Sequence, residues 1–205
     1  MRIGILGGTF NPPHMGHINA ALSAMKGIPL DKVIFIPTGK PPHKELAEGS
    51  ATTAQRLEMT RLAAESIGAE VSDIEILREG KSYTVDTLKE LKKQFPEDEL
   101  WLIMGTDMFL SLETWREPET IFSLAKTAVI PRDNDDIGKL SDFGEHLRKK
   151  YGAEFRVLDT EVIEISSTEL REELNCGEAI EFLPGQVYNY IVENQLYGVS
   201  GSDGF

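Results

Sequence analysis

Residues 3–17, Ile3-Gly4-Ile5-Leu6-Gly7-Gly8-Thr9-Phe10-Asn11-Pro12-Pro13-His14-Met15-Gly16-His17, decide the fold. A short apolar run reads as a strand and breaks at Gly7 and Gly8. Asn11-Pro12-Pro13 reads as a turn, after which Met15, Ile18, Ala21, Leu22 and Met25 recur at helical spacing. Strand, glycine turn and helix start together leave backbone N–H groups aimed at an anion. Gly7 and Gly8 let a phosphate or sugar approach the main chain there. His14 and His17 fall on one face of the first helical turn, and Gly16 between them keeps that face open. The glycine spacing is not the G-x-G-x-x-G of a dinucleotide fingerprint, which disfavours an NAD-dependent oxidoreductase. Two other readings of the histidines stand beside phosphate binding: a plain helix start capped by one ring, or a pair of metal ligands. Metal binding needs further ligands, for which the chain offers His43, His146, Cys176 and scattered carboxylates.

Working outward, 205 residues are most simply one domain with room for a substantial core. No apolar run approaches membrane-span length and the N-terminus shows no signal-peptide pattern, so the expectation is a soluble, cytoplasmic protein without a membrane partner. A single cysteine, Cys176, leaves no internal disulfide and fits a reducing compartment. The formal net charge of −13 argues against a nucleic-acid partner. An acidic chain that binds phosphate must gather its positive groups locally. Lys40, His43, Lys44, Arg132 and Arg171 thereby become informative.

The periodicity predicts helices over 15–26, 55–67, 84–95, 117–124, 143–150, 168–174 and 184–194. Strands are predicted over 32–37, 69–76, 100–104, 127–130 and 155–158 in addition to the first. Residues 38–50 and 133–142 read as loops, 78–81 as a turn and 199–205 as a frayed tail beyond a domain spanning 1–198. Apolar strands alternating with helices point to an α/β, Rossmann-like, doubly wound parallel sheet with helices on both faces. Ligands in such sheets bind at the carboxyl ends of the strands, here Gly7-Gly8, Pro37-Thr38 and Gly105-Thr106-Asp107.

Ile165-Ser166-Ser167-Thr168-Glu169-Leu170-Arg171 is the second informative stretch. Ser166 and Glu169 have capping-box spacing, which makes a helix start by itself. Three successive hydroxyl residues with Arg171 one turn on would also form a polyphosphate site. Three further stretches could hold an acceptor. Lys40-Pro41-Pro42-His43-Lys44 could meet a phosphate or carry solvated charges. A helix start at Thr84 could bind a carboxylate. Trp115 could stack on a ring or belong to the core.

His14-x-Gly16-His17 after Gly7-Gly8-Thr9-Phe10-Asn11-Pro12-Pro13 resembles the signature of the nucleotidyltransferase superfamily, and Ile165-Ser166-Ser167-Thr168-x-x-Arg171 resembles its C-terminal motif. With the stretches at 40–44, 82–88 and 115, and Leu183-Pro184-x-x-Val187-x-x-Tyr190-Ile191 near the end, the chain looks like the bacterial nicotinate mononucleotide adenylyltransferase family over residues 1–198. That family often carries Arg-Pro-Gly after the fifth strand, where this chain has Pro131-Arg132-Asp133. The resemblance implies that ATP and nicotinate mononucleotide give nicotinate adenine dinucleotide and pyrophosphate, a step of NAD biosynthesis, by direct in-line attack without a covalent intermediate. It implies catalytic roles for His14, His17 and Arg171. Ser167, Thr168 and Arg171 would hold the leaving phosphates. Gly7, Gly8, Thr9, Phe10, Gly105, Asp107, Arg132 and Ile165 would complete the ATP side. Lys40, His43, Lys44, Thr84, Asp107 and Trp115 would serve the acceptor. Mg²⁺ would be held by substrate and water rather than by protein ligands, and homo-oligomers occur in the family. The rival expectations are the same chemistry on nicotinamide mononucleotide or phosphopantetheine, or a nucleotide-binding regulator without catalysis.

Overall fold

Val33, Ile34, Phe35 and Ile36 are each at most 3% exposed, as a strand covered on both faces requires. They belong to β2 (Lys32–Pro37) in a computed structural model that describes residues 1–42, 46–47, 49–133, 135–160 and 165–199. Before it come β1 (Arg2–Gly8) and α1 (Met15–Gly27). After it come α2 (Thr53–Glu65), β3 (Glu70–Val71), α3 (Ile74–Leu77), α4 (Thr84–Gln94) and β4 (Glu99–Gly105). Then follow α5 (Thr106–Leu110), α6 (Pro118–Leu124), β5 (Ala125–Ile130), α7 (Asp136–Tyr151) and β6 (Phe155–Val157). The chain closes with α8 (Ser167–Leu174) and α9 (Gly185–Glu193).

The six strands form one parallel sheet in the order β3-β2-β1-β4-β5-β6. Strand order reverses between β1 and β4, which places a crevice outside the carboxyl ends of those two strands. Alternation along each strand divides the core in two. Leu6, Val33, Phe35, Ile103 and Ala128 meet Ile18 of α1, Met59 of α2, Leu170 of α8 and Ile191 of α9. Ile5, Ile34, Ile36, Leu102 and Val129 meet Leu88 of α4, Ile121 of α6 and Leu147 of α7. The doubly wound expectation therefore holds, with helices on both faces. No helix among the described residues is long and apolar enough to cross a membrane.

Two predicted elements differ. The strand expected over 69–76 shrinks to Glu70–Val71, and the chain then turns into α3. Ser72 accepts a hydrogen bond from the Ile74 N–H at 3.4 Å, and Asp73 O accepts from Ile76 and Leu77 N–H at 2.8 and 2.9 Å, so local polar bonds outcompete strand pairing. The polar stretch expected as a loop over 133–142 instead begins α7 at Asp136. Asp133 accepts from the Asp136 N–H at 2.9 Å and Leu140 is fully buried, while Ile137 of the same turn is exposed. One inward leucine was too sparse a signal to read as a helix. The terminal residues 200–205 lie outside the described residues.

Leu88 packs from α4 onto the sheet without exposed surface. Leu88→Ala is expected to lower unfolding stability by about 2–5 kcal/mol, the usual cost of a large-to-small change in a closed core. Urea denaturation measures it, and a loss well under 1 kcal/mol would contradict the packing described here.

Candidate active site

The turn after β1 builds the site's floor. Phe10 sits at φ 49°, a left-handed conformation uncommon for a bulky side chain. Its ring compensates by burial, 1% exposed, against Phe35 at 5.6 Å and edge-on to His17 at 4.9 Å between centroids. Phe10 thus packs against His17, and it is not among the described residues that line the cleft. Gly7 is open, with nothing within 4 Å of where a Cβ would stand, as close approach by a ligand needs.

His14 and His17 stand together at the start of α1, ring centroids 3.8 Å apart. The His14 backbone N–H donates to His17 Nδ1 at 3.2 Å. That bond puts the proton of a neutral His17 on Nε2, leaving a free N–H donor. His14 is 6% exposed and its Nδ1 has no partner. A Cβ on residue 16 would come within 2.9 Å of that nitrogen, which is why glycine separates the two histidines. Burial lowers the His14 pKa from 6.5 to about 4. Burial, with the neighbouring His14 adding repulsion, holds His17 well below its ordinary value. Both rings are neutral donors near pH 7. Among the described residues no group of three or more His, Cys, Asp or Glu could hold a metal ion.

A cleft of about 840 Å³ runs from this pair across the sheet's carboxyl edge. Gly7, Gly8, Thr9, Gly105 and Ile165 line it near the histidines, and Thr84 and Trp115 line its far end. Thr84 is the first residue of α4, so its N–H has no intrahelical acceptor. Trp115 is half-buried against the core and its Nε1 donates to Ser111 at 3.2 Å, so it is both a packing residue and a wall of the cleft. An adjoining hollow of about 650 Å³ is lined by Gly105, Asp107, Arg132 and Ile165. There Arg132 pairs with Asp107 at 3.4 Å, and the Thr106 hydroxyl donates to Asp136 at 2.8 Å while accepting from the Arg132 N–H at 3.0 Å.

The C-terminal motif packs against the first motif. Ser166 and Glu169 form the capping box of α8, as their spacing implies. Ser167 donates to Pro12 O at 3.0 Å. Arg171 Nη1 donates to Asn11 O at 2.7 Å and to Ser167 O at 2.8 Å, with Nη2 3.4 Å from the Thr168 hydroxyl. Ser167, Thr168 and Arg171 are not among the residues lining either hollow. They brace the first motif, and the Arg171 guanidinium makes its remaining contact, from Nη2, to Thr168. Lys40 is exposed and off the cleft wall, although its neighbours Thr38, Pro41 and Pro42 line it. His43 and Lys44 lie outside the described residues.

Several residues escaped the sequence reading. Arg56 is fully buried and donates to Thr9 O at 2.7 Å and Gly39 O at 3.3 Å, tying together the loops after β1 and β2. The signal was its place at helical spacing with the buried Met59, Thr60 and Ala63. Glu75, 8% exposed, lines the cleft and accepts from the Thr87 hydroxyl at 2.7 Å. Burial pushes its carboxyl pKa up, against the pull of Thr87, Arg78, Ser82 and Thr38. A lone glutamate in what reads as a strand carries no such signal. Tyr83 and Arg116 also line the far end.

Residues 5–173 match the cytidylyltransferase-like family model. A protein of Citrifermentans bemidjiense described as a probable nicotinate-nucleotide adenylyltransferase is 41% identical, the match covering 96% of this chain and 98% of that one. One of Desulfitobacterium hafniense with the same description is 42% identical over 97% and 96%. The chain belongs to the nicotinate-nucleotide adenylyltransferase family. It is accordingly an enzyme of the nucleotidyltransferase class. The fold of this family member is also that of the Plasmodium falciparum nicotinic acid mononucleotide adenylyltransferase solved with NaAD, with a TM-score of 0.75 at 18% identity over 98% and 99% of the two chains.

The depressed His14 pKa gives a stability prediction with a definite sign. Between pH 6.5 and about 4 the unfolded chain binds a proton that the folded His14 refuses. The contribution is present above pH 6.5 and is lost as pH falls towards 4, up to about 3 kcal/mol. Urea midpoints of the wild type should fall more steeply than those of His14→Asn between pH 7 and pH 4.5. Parallel curves would mean that His14 titrates normally.

Proposed function

We propose that this chain transfers the adenylyl group of ATP to nicotinate mononucleotide, giving nicotinate adenine dinucleotide and pyrophosphate in NAD biosynthesis. One observation carries the reading. A single cleft joins a neutral histidine pair beside an open glycine turn to a helix start flanked by Trp115 and Tyr83. That is room for two nucleotides end to end, with donors for phosphates at one end and aromatic faces for a heterocycle at the other. The descriptions of the relatives point to the same acceptor.

In this mechanism a phosphate oxygen of the mononucleotide attacks the α-phosphorus of ATP. The bond from that phosphorus to the bridging oxygen breaks, and pyrophosphate leaves with the electron pair. A phosphate monoester is largely dianionic near pH 7 because its second pKa is about 6, so no general base is needed. The protein's work is alignment and stabilisation of charge on the transferring group. His17 Nε2–H would meet the α-phosphate oxygens beside the open face of Gly7, with His14 next to it. Arg171, through Nη2 and Nε, and Thr168 would meet the β- and γ-phosphates. Gly105, Asp107, Arg132 and Ile165 would border the adenosine, and the Thr84 N–H and Trp115 the pyridine ring. Mg²⁺ would accompany the triphosphate, held by phosphate oxygens and water, and would neutralise charge on the departing pyrophosphate.

Pyrophosphate release with ATP and Mg²⁺ tests the reading when nicotinate mononucleotide, nicotinamide mononucleotide and phosphopantetheine are offered in parallel. Strong preference for the first is expected. Preference for phosphopantetheine would replace the acceptor, and ATP binding without release would make the chain a regulator. His17→Ala should lower kcat by at least about 100-fold, the scale of one lost transition-state donor. Arg171→Ala should chiefly raise the KM for ATP; an unchanged ATP dependence would remove it from the phosphate site.

A further inference from the structure

We propose that Arg116 reads the carboxylate carried on the acceptor's pyridine ring, and so sets the enzyme's preference for the acid over the corresponding amide. The inference rests on the acceptor reading above. Arg116 lines the far end of the cleft together with Tyr83, Thr84 and Trp115. Its guanidinium carbon lies 4.8 Å from the centroid of the Tyr83 ring, a stack that orients the planar group while leaving its edges open.

The carboxylates around Arg116 leave it underused. Arg116 Nη1 is 3.9 Å from Asp86 Oδ2, and Nε is 3.7 Å from Glu117 Oε1. Both separations are ion-pair distances, too long for hydrogen bonds. Glu117 is claimed more closely by Lys89, at 2.7 Å. Other arginines at the site already make hydrogen bonds: Arg56 to Thr9 and Gly39, Arg171 through Nη1 to Asn11 and Ser167, and Arg132 to Asp107. Arg116 makes none among the described residues, so it presents a complete fork to a planar carboxylate.

Position decides which anion that is. The acceptor's phosphate must reach the α-phosphate of ATP, at the His14 and His17 end of the cleft. Arg116 sits at the other end, between two aromatic side chains and a helix start. The group it meets there is a ring substituent. A carboxylate accepts from a guanidinium fork in two parallel bonds. A carboxamide offers one acceptor oxygen and turns an NH₂ towards a cation, which is unfavourable. Asp86 and Glu117, the carboxylates nearest Arg116, are not among the residues lining the cleft.

The test is the ratio of kcat/KM for nicotinate mononucleotide to that for nicotinamide mononucleotide, in wild type, Arg116→Met and Arg116→Lys. The two acceptors share phosphate and ribose and differ only in the ring substituent. Arg116→Met should lower the acid-to-amide ratio about tenfold, the scale of a charge-assisted bond at a partly exposed site, with the loss in the KM for the acid. Arg116→Lys should recover part of it. Because the Arg116 side chain is 53% exposed, the thermal midpoint should stay close to wild type. Equal losses for both acceptors, which leave the ratio unchanged, would put Arg116 on the shared phosphate or ribose, and unchanged kcat/KM for both would remove it from recognition; either overturns the inference. A wild type without acid preference would overturn the acceptor reading together with this inference, whereas acid preference with an unchanged ratio overturns the inference alone.

Discussion

Three outward-turned carbonyls hold the site together. Thr9 O, Asn11 O and Pro12 O belong to the turn after β1, and none is paired within a regular element. Each is taken by a donor from far along the chain: Arg56 at 2.7 Å, Arg171 at 2.7 Å and Ser167 at 3.0 Å. The Asn11 side chain adds to the ties, accepting from the Tyr197 hydroxyl at 2.8 Å and the Ala51 N–H at 3.1 Å. The open glycines, the left-handed Phe10 and the entry into α1 can persist only because these donors fix the turn. The two sequence motifs are thus one physical object. The second motif supplies the clamps and the first supplies the backbone that is clamped.

This arrangement explains what could be read in advance. Continuous apolar strands, a glycine break after the first of them and helical periodicity between them are local signals, and they led to the doubly wound sheet. The histidine pair was legible because its spacing and Gly16 act within one helical turn. The capping box at Ser166 and Glu169 was legible for the same reason. What stayed hidden depends on pairings between distant segments. Arg56 reads as one more polar residue of a helix until Thr9 and Gly39 arrive beside it. Ser167 and Arg171 read as free donors because nothing in their own stretch announces that Asn11 and Pro12 will consume them. Glu75 reads as a surface glutamate in a strand until Thr87 folds over it.

Charge shows the same limit. In a chain of net charge −13, cations near glycine turns and motif residues stand out in the sequence, among them Lys40, Arg132 and Arg171. Lys40 is exposed and not among the residues lining the cleft, and Arg132 is matched by Asp107. Arg116 borders the cleft with ion pairs but no hydrogen bond from its guanidinium among the described residues, yet it sits beside a glutamate and a proline in a stretch with no glycine. Composition reveals that positive groups must be concentrated. Only the fold reveals which of them are already neutralised.

Arg56 completes the electrostatic picture. It makes no ion pair among the described residues, and its Nε has no partner. A buried guanidinium held by carbonyl dipoles costs desolvation that no carboxylate offsets, and burial accordingly lowers its pKa. Its charge lies one residue beneath the wall formed by Thr9, shielded from salt by the protein around it. The histidines above it are neutral, so donors that touch the ligand and the charge that attracts it are separated. Neutral N–H groups can tighten on an oxygen as negative charge grows there without holding the product by full ionic contact. A buried cation supplies a constant attraction that distinguishes little between bound states. That division would suit the proposed reaction, whose two substrates and two products are all anions, because release then requires breaking hydrogen bonds rather than ion pairs.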